Sequence, residues 1–313
     1  MKLLITGAEG DIADALCRIA RSSWPDSVVH GSDLSGDSWP RMNGFAAVHR
    51  LPHATAPDYL PALTTLHARE RFTAIVPVTD AELSTLYASE SGDFPFVKLD
   101  SAWLGFSLDK LETPRWLARS GFPALRTTSL SEAASADLPV IVKPRRGHGS
   151  RGLEIVRTPE RLAAVQAERT DEAIAQQYVG DPEGEFTCCI FRHRRSGEIR
   201  TIALRRQLQG GITGRAIVES IPSINALLEA MATAGDLDGS VNVQLRLLDS
   251  GPMVFEVNPR FSSTVMMRHL LGFRDFVWAV ESRLEGRAPE AWSPLPGTRI
   301  FRLSRELVVP PAL

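Results

Sequence analysis

Short apolar runs alternate with amphipathic stretches over the first hundred residues, and that order predicts strands and helices in turn. Lys2 to Thr6 reads as a buried strand, with Gly7-Ala8-Glu9-Gly10 as the turn after it. Ile12, Ala13, Ala15, Leu16, Ile19 and Ala20 then recur at helical spacing. Val28 to Gly31 predicts a second strand ending near Asp33, Leu60 to Arg69 a helix, and Ala74 to Val78 another strand. Asp80 to Tyr87 predicts a helix whose first amides Asp80 can cap, and Phe96-Val97 closes the region. The alternation implies an open, mainly parallel α/β layer over residues 1–100.

The pattern then changes. A helix is expected from Lys110 to Ser120, stopped by Gly121 with Pro123 beyond it. Pro139 to Pro144 is an apolar strand that ends in Lys143, and the basic, glycine-rich segment Arg145 to Gly152 follows at once. Leu153 to Val156 reads as the returning strand and Pro159 to Glu168 as a helix. Ala173 to Val179 and Glu185 to Phe191 are two further strands. Ile224 to Gly235 is helical, Ser240 to Leu248 alternates as a strand, and Asp249-Ser250-Gly251-Pro252 turns the chain into Met253 to Asn258. That hairpin brings Gln244, Glu256 and Asn258 within reach of one another, with Glu256 and Asn258 on one strand face.

Composition narrows the partners. Acidic residues number 37 against 35 lysines and arginines, a formal net charge of -2, which gives no support for a nucleic-acid partner. The stretch Arg192 to Arg195, with Arg200, Arg205 and Arg206, is basic locally and reads either as a solvated hairpin or as a wall facing phosphates. Cys17, Cys188 and Cys189 have neither zinc nor disulfide spacing and read as core thiols. No apolar run reaches the length of a membrane span and the first residues do not form a signal peptide, so the expectation is no membrane partner and the cytoplasm.

Chemistry concentrates at two places. Lys143 leaves a strand just before a loop rich in glycine, where backbone amides of Gly147, Gly149 and Gly152 and the Ser150 hydroxyl can approach a phosphate. The loop lacks the spacing of a P-loop. Glu256, Asn258 and Gln244 offer hard oxygen donors suited to Mg²⁺ on ATP phosphates, and Arg260 follows with the same parity if the strand continues. The Gly7 to Ala13 turn is a weaker nucleotide signal and fits an ordinary strand-to-helix turn as well.

Taken in order, these segments resemble the ATP-grasp superfamily, in the form of its carbamoyl-phosphate-synthase-like ligase branch. Asp109-Lys110-Leu111-Glu112-Thr113 and Val140 to Pro144 with its loop are similar to the first half of that domain. Gln176-Gln177-Tyr178-Val179 and Gly184-Glu185-Phe186-Thr187 resemble its hinge and ribose segment, and Asn242-Val243-Gln244 and Phe255 to Phe261 its metal end. The resemblance implies an α/β N-terminal domain (1–100) followed by a two-lobed α+β ATP-grasp fold (101–313), with a nucleotide lobe at about 110–180 and a metal-binding lobe at about 181–313.

The resemblance also implies site residues. Lys110 and Lys143 would contact ATP phosphates, under a loop made by Arg146, Gly147, His148, Gly149, Ser150 and Gly152. Gln176, Gln177, Tyr178 and Val179 would border adenine, with backbone groups reading its edge, and Glu185 would hold the ribose. Gln244, Glu256 and Asn258 would hold Mg²⁺, and Lys110, Lys143 and Arg260 would carry catalysis. The family often has glutamate at the position of Gln176. Arg205, Arg206, Gly214 and Arg215 are candidates for a substrate carboxylate, although a basic hairpin explains them equally. The expected function is an ATP-dependent ligase joining a small-molecule carboxylate to an amine through an acyl phosphate, with a homodimer left open. Alternatives are a carboxyphosphate- or carbamoyl-phosphate-forming enzyme, a dehydrogenase built on the first glycine turn, or a non-catalytic nucleotide-binding scaffold.

Overall fold

The computed structural model describes residues 1–35, 43–89, 94–147, 152–169, 172–180 and 184–303. The chain begins with β1 (Lys2–Thr6), α1 (Asp11–Ser23), β2 (Val28–Asp33), β3 (Ala47–Arg50), α2 (Tyr59–Glu70), β4 (Ala74–Val76) and α3 (Asp80–Ala88). The strands run parallel in the order β3-β2-β1-β4. Successive strand residues face opposite sides, and here both sides are covered. Leu3, Ile5 and Val76 pack with α1, whereas Leu4 and Ile75 pack against Tyr59, Leu63 and Leu66 of α2. Covering both faces is why these strands read as unbroken apolar runs.

Next come α4 (Ser101–Ser107), α5 (Glu112–Arg119), β5 (Thr127–Ser129), β6 (Val140–Pro144), β7 (Glu154–Val156), α6 (Pro159–Glu168) and β8 (Ala173–Gln177). These strands form a small antiparallel sheet, β5-β8-β6-β7. Val140, Val142, Ala173 and Ala175 pack on Leu162 and Val165 of α6. Alternation therefore sends Ile141, Lys143, Ile174 and Gln176 to the opposite face.

The rest comprises β9 (Glu185–Arg192), β10 (Ile199–Gln209), β11 (Ile212–Glu219), α7 (Pro222–Ala234), β12 (Gly239–Leu248), β13 (Gly251–Asn258), α8 (Val265–Leu270), α9 (Asp275–Glu285) and β14 (Arg299–Phe301). Its six-stranded sheet has the order β13-β12-β9-β10-β11-β14. One face, with Phe186, Cys188, Ile190, Val241, Val243 and Leu245, packs on α7 and on Trp103 of α4. The other face is divided. Cys189, Phe191 and Ile202 lie with Phe276 and Val280 of α9 in one core, while the opposite end carries Glu185, Thr187, Gln244 and Glu256.

Several local expectations are corrected. Thr79, not Asp80, caps α3: its hydroxyl accepts from the Glu82 amide and the Glu82 carboxylate accepts from the Thr79 amide, each at 3.2 Å. Reciprocal capping of this kind satisfies two orphan donors and releases Asp80 for other contacts. The helix expected at Lys110 starts at Glu112, because the Asp109 carboxylate accepts from the Leu111 amide (2.9 Å) and closes a turn around Lys110. Strand β13 starts at Gly251 rather than Met253; it lies at the sheet edge, where Pro252 has no ladder donor to lose. The basic stretch is divided: Arg192 to Arg195 lie at the β9–β10 turn, and Arg200, Arg205 and Arg206 lie in β10, which forms a long hairpin with β11 whose Gly210 and Gly211 both take positive φ (60° and 82°). Among the described residues, no helix is long and apolar enough to cross a membrane.

Candidate nucleotide and metal site

Lys143 lies where the small and large sheets meet. Its residue is 8% exposed, its ammonium donates to Gln176 Oε1 (2.9 Å), and it stands 5.7 Å above the Phe255 ring. Gln176 uses its amide hydrogens on Thr127 Oγ1 (2.9 Å) and the Phe255 carbonyl (3.1 Å), so one buried side chain links both sheets and the lysine. Phe255 is available because β13 bulges: Gln244 pairs with Glu256 but Leu245 pairs with Val254. The unopposed residue is re-aimed by the local kink. Burial pushes the Lys143 pKa below the usual lysine range, and the Glu256 charge opposes that shift.

The polar end of the large sheet supplies the facing wall. Glu185 is buried between two guanidinium groups, with Arg206 at 2.7 Å on Oε1 and Arg246 at 2.6 Å on Oε2. Arg206 also donates to Gln244 Oε1 (2.9 Å). Asn242 donates to Thr187 Oγ1 (2.9 Å) and the Cys188 carbonyl (2.8 Å), holding β12 and β9 in register beneath the site. Glu256 lies opposite Gln244, and Asn258 lies opposite Asn242.

This donor set fits Mg²⁺ in a restricted way. Glu256 and Asn258 project from one strand face, and Glu256 is in no ion pair among the described residues. The Gln244 oxygen is already taken by Arg206, so Gln244 is the weaker of the three expected ligands. No group of three or more His, Cys, Asp or Glu suited to a metal occurs among the described residues. One carboxylate and an amide oxygen suit an ion that takes its remaining ligands from phosphates and water.

The loop after β6 is anchored at its start. Asp109 accepts from Arg145 Nε at 2.8 and 2.9 Å, and Arg146 lies at 4.0 Å. Burial raises the Asp109 pKa, but Arg145 and the Leu111 amide outweigh it and hold the carboxyl below the usual range. The Lys110 amide donates to the Arg145 carbonyl (3.1 Å) and its ammonium reaches the Gly147 carbonyl. Lys110, Arg146 and Gly147 are thus gathered together. His148, Gly149 and Ser150 lie outside the described residues. The Gly152 carbonyl accepts from Arg169 (2.7 Å) at the far end.

Of the hinge residues, Gln176 faces Lys143, whereas Gln177 lies on the α6 side of β8 and is exposed. The amides of Gln177 and Tyr178 already bond to the carbonyls of Arg126 (2.8 Å) and Pro139 (3.1 Å). Tyr178 and Val179 are half-buried, with the Arg157 guanidinium 5.1 Å over the Tyr178 ring.

Beyond Asn258 the strand ends, so the expected parity for Arg260 does not hold. Its Nε instead donates to Asp80 Oδ1 (2.7 Å), a contact between the large sheet's edge and the first turn of α3. The four substrate candidates are divided as well. Arg206 faces the polar end, but Arg205 points the other way and pairs with Glu219, and Arg215 pairs with Gln207. Gly214 supports a backbone bond, its carbonyl accepting from the Arg302 amide (2.7 Å). Among the other arginines, Arg192 and Arg194 are tied to Asp236, which favours the solvated-hairpin reading for that stretch. The first glycine turn is closed internally: the Glu9 amide donates to Asp33 Oδ2 (2.9 Å).

A sequence model for "ATP-grasp in the biosynthetic pathway with Ter operon" matches residues 169–305. The chain superposes on N5-carboxyaminoimidazole synthetase from Staphylococcus aureus complexed with ADP at a TM-score of 0.73. That match has 16% identity and covers 96% of this chain and 79% of the other. Residues 169–305 match an ATP-grasp family model, and the chain as a whole has the ATP-grasp fold. L-amino acid ligase from Bacillus licheniformis superposes at a TM-score of 0.69 with 15% identity, over 91% of this chain and 74% of that one. In sequence, the chain is 27% identical over 211 residues to D-alanine–D-alanine ligase from Mycolicibacterium gilvum, covering 56% of this chain and 58% of that protein. It spans 38% and 58% of the lengths of the two curated relatives it matches.

Within the ATP-grasp fold, several side chains at this junction escaped the sequence reading. Arg246 follows Gln244 by two positions on β12, so strand alternation alone places it on the site face. Asp109 and Phe255 stand within the segments that carry the resemblance, but the contacts they and Thr127 make were not legible, since these depend on a turn, a bulge and a three-residue strand.

Proposed function

We propose that this protein is an ATP-grasp enzyme, an ATP-dependent ligase that joins a small-molecule carboxylate to an amine through an acyl phosphate. The observation that carries the reading is Lys143, a lysine buried between two sheets with a neutral amide as its near partner and Glu256 acting on it across the junction. A cation buried without a carboxylate directly on it is costly, and a bound polyphosphate would offset that cost.

In this reading Lys110 and Lys143 bind the ATP phosphates, and the Asp109–Arg145 pair fixes the loop beside them. Gln176, Tyr178 and Val179 border the base, and Glu185 shares its carboxylate between arginines and the sugar. Mg²⁺ bound by Glu256 and Asn258 would supply charge neutralisation across the phosphates. Arg260, tethered to Asp80, stands near the carboxyl ends of β1 and β4, where the order β3-β2-β1-β4 reverses direction. Open parallel sheets bind ligands at such a point, so the carboxylate substrate is placed there, within reach of Arg260.

A carboxylate oxygen then forms a bond to the γ-phosphorus as the bond to the ADP oxygen breaks. The amine nitrogen attacks the acyl carbon, and phosphate leaves as the amine loses a proton. Lys110, Lys143 and Arg260 act by position and charge, as this chemistry requires.

The test is ADP release over a panel of carboxylates, bicarbonate included, with hydroxylamine as a trap and mass detection of the joined product. Carboxylate-dependent ADP and a trapped hydroxamate are expected in wild type, with both lost in a folded Lys143→Ala protein. ADP that depends on bicarbonate alone points to the carboxyphosphate reading. Release of AMP and pyrophosphate, or full activity in Lys143→Ala, overturns the proposal.

A further inference from the structure

A cavity of about 250 Å³ lies at a different joint, between the segment after β4 and the start of β12, closed by α9. Lys143, Glu256 and Gln244 do not line it. Its walls carry Lys98, Arg195, Arg283 and His193, with Asp238 as the acidic residue and Arg260 as the side nearest the catalytic region. The volume is well above the ~15 Å³ that one water needs.

The charge balance there is one-sided. Lys98, Arg195 and Arg283 take part in no ion pair among the described residues, whereas most neighbouring charges are paired. Of the nearby carboxylates, Asp100 pairs with Arg194, whereas Asp238 accepts from the Arg194 amide (3.1 Å) and keeps its charge at the cavity wall. Arg195 rests over Gly286, at the C-terminal end of α9. The Lys98 ammonium makes only a long contact, 3.5 Å, to the Leu99 carbonyl.

His193 adds a directed donor. It is 5% exposed, and its Nδ1 accepts from the Ser196 amide (3.2 Å). An amide can only donate, so in the neutral ring the hydrogen is on Nε2. Three cations in no ion pair among the described residues, with a ring N–H, stand against the single Asp238 carboxylate, and the net positive potential favours an anion. A surface that merely needed solubility would intersperse carboxylates, as the Arg161 cluster does with Glu154 and Glu168.

We infer that this cavity is a second anion site, separate from the nucleotide cleft, which takes a small polyanion bearing phosphate or carboxylate groups. Lys98, Arg195 and Arg283 supply its charge, and His193 a hydrogen bond to an anionic oxygen. None of these four residues belongs to the proposed nucleotide or metal site, but the cavity shares Arg260 and the end of β4 with the place proposed for the carboxylate substrate, and its assignment as a separate site rests on that reading of the nucleotide cleft.

The test is calorimetry on the full chain in metal-free buffer, with inorganic pyrophosphate and, separately, citrate. Each titration is run with and without a saturating non-hydrolysable ATP analogue. One equivalent of at least one probe should bind in both conditions, more weakly as salt rises. Arg195→Gln/Arg283→Gln should lower that affinity at least tenfold and leave analogue binding unchanged. Both arginines are exposed, so the variant should keep its fold, which circular dichroism checks; Lys98→Gln gives an independent loss. Tighter pyrophosphate binding assigns the site to phosphate groups, and tighter citrate binding to carboxylates. Absence of binding by both probes, an affinity within twofold of wild type in the double variant, or displacement of the probe by the analogue would overturn the site.

Discussion

The two ends of one face of the large sheet both bury charge, yet they do so in opposite ways. At the end covered by α9, Arg268 and Asp275 are each 1% exposed and paired at 2.8 Å. Arg268 also donates to Ser262 (2.8 Å) and Thr264 (2.7 Å), and Asp275 accepts from Ser240 (2.8 Å). Fixed partners complete that network. At the polar end Glu185 has two arginines, but Lys143 has a neutral amide and Glu256 no ion pair among the described residues. A charge closed by its own fold stabilises or specifies structure, whereas a charge left incomplete beside a cleft is poised for a ligand. Burial alone does not separate the two cases; the state of the partners does.

The largest effect expected from this contrast is on stability. Asp275→Ala leaves Arg268 charged and buried without its partner, and losses of this kind run to about 3–5 kcal/mol. Urea unfolding should show that loss, while the folded fraction still binds an ATP analogue with wild-type affinity. A loss below about 1 kcal/mol would mean that solvent or rearrangement can replace the carboxylate. Glu256→Gln should behave the other way round, with melting little changed and turnover down at least about a hundredfold, or roughly 3 kcal/mol of transition-state stabilisation. Its Mg²⁺ dependence should also weaken. Wild-type turnover in Glu256→Gln would sink the metal assignment and, with it, the open-end half of the contrast.

How far the sequence could carry this distinction depends on the range of the interactions involved. The period-two pattern of β12 and β13 put Gln244 opposite Glu256, and the structure pairs them directly. Apolar runs marked β1, β4 and β6 because each is buried, and Pro159 to Glu168 appears with the expected bounds because Thr158 and Pro159 mark its start. The short elements α4, β3 and β5 were not legible; seven, four and three residues carry too little periodicity. Nor could local pattern show that Asp80 would meet Arg260, 180 positions away, since Asp80 looked equally suited to a helix cap. The Arg268–Asp275 pair was invisible for a related reason: a polar residue in an amphipathic helix reads as solvent-facing until the covering element is known. The division of Arg205 from Arg206 followed from strand parity, but only once that stretch was identified as a single strand.

The smallest effect, and the finest test of the contrast, concerns Gln176. Replacing it by glutamate would give Lys143 the fixed carboxylate that the closed end enjoys. The new side chain could not donate to the Phe255 carbonyl or to Thr127 Oγ1, both of which Gln176 now serves. Leaving a buried acceptor unserved costs about 1–3 kcal/mol, and attraction to Lys143 offsets part of that, so a net loss of about 1 kcal/mol is expected. The pH dependence is more telling. Burial lowers the Lys143 pKa in the folded protein, so between that value and the ordinary lysine pKa of about 10.4 the unfolded chain binds more protons. The Lys143 contribution to stability therefore rises with pH across that window, while ATP-analogue binding falls as the cation is lost. In Gln176→Glu the added negative charge raises the Lys143 pKa, and the alkaline limb of binding should move to higher pH. Lys143→Arg should have no such limb, because arginine stays protonated. Fluorescence titration of the analogue across the alkaline range would read all three proteins. If the limb in Gln176→Glu stays where wild type has it, the electrostatic state of Lys143 is not set by its nearest partner.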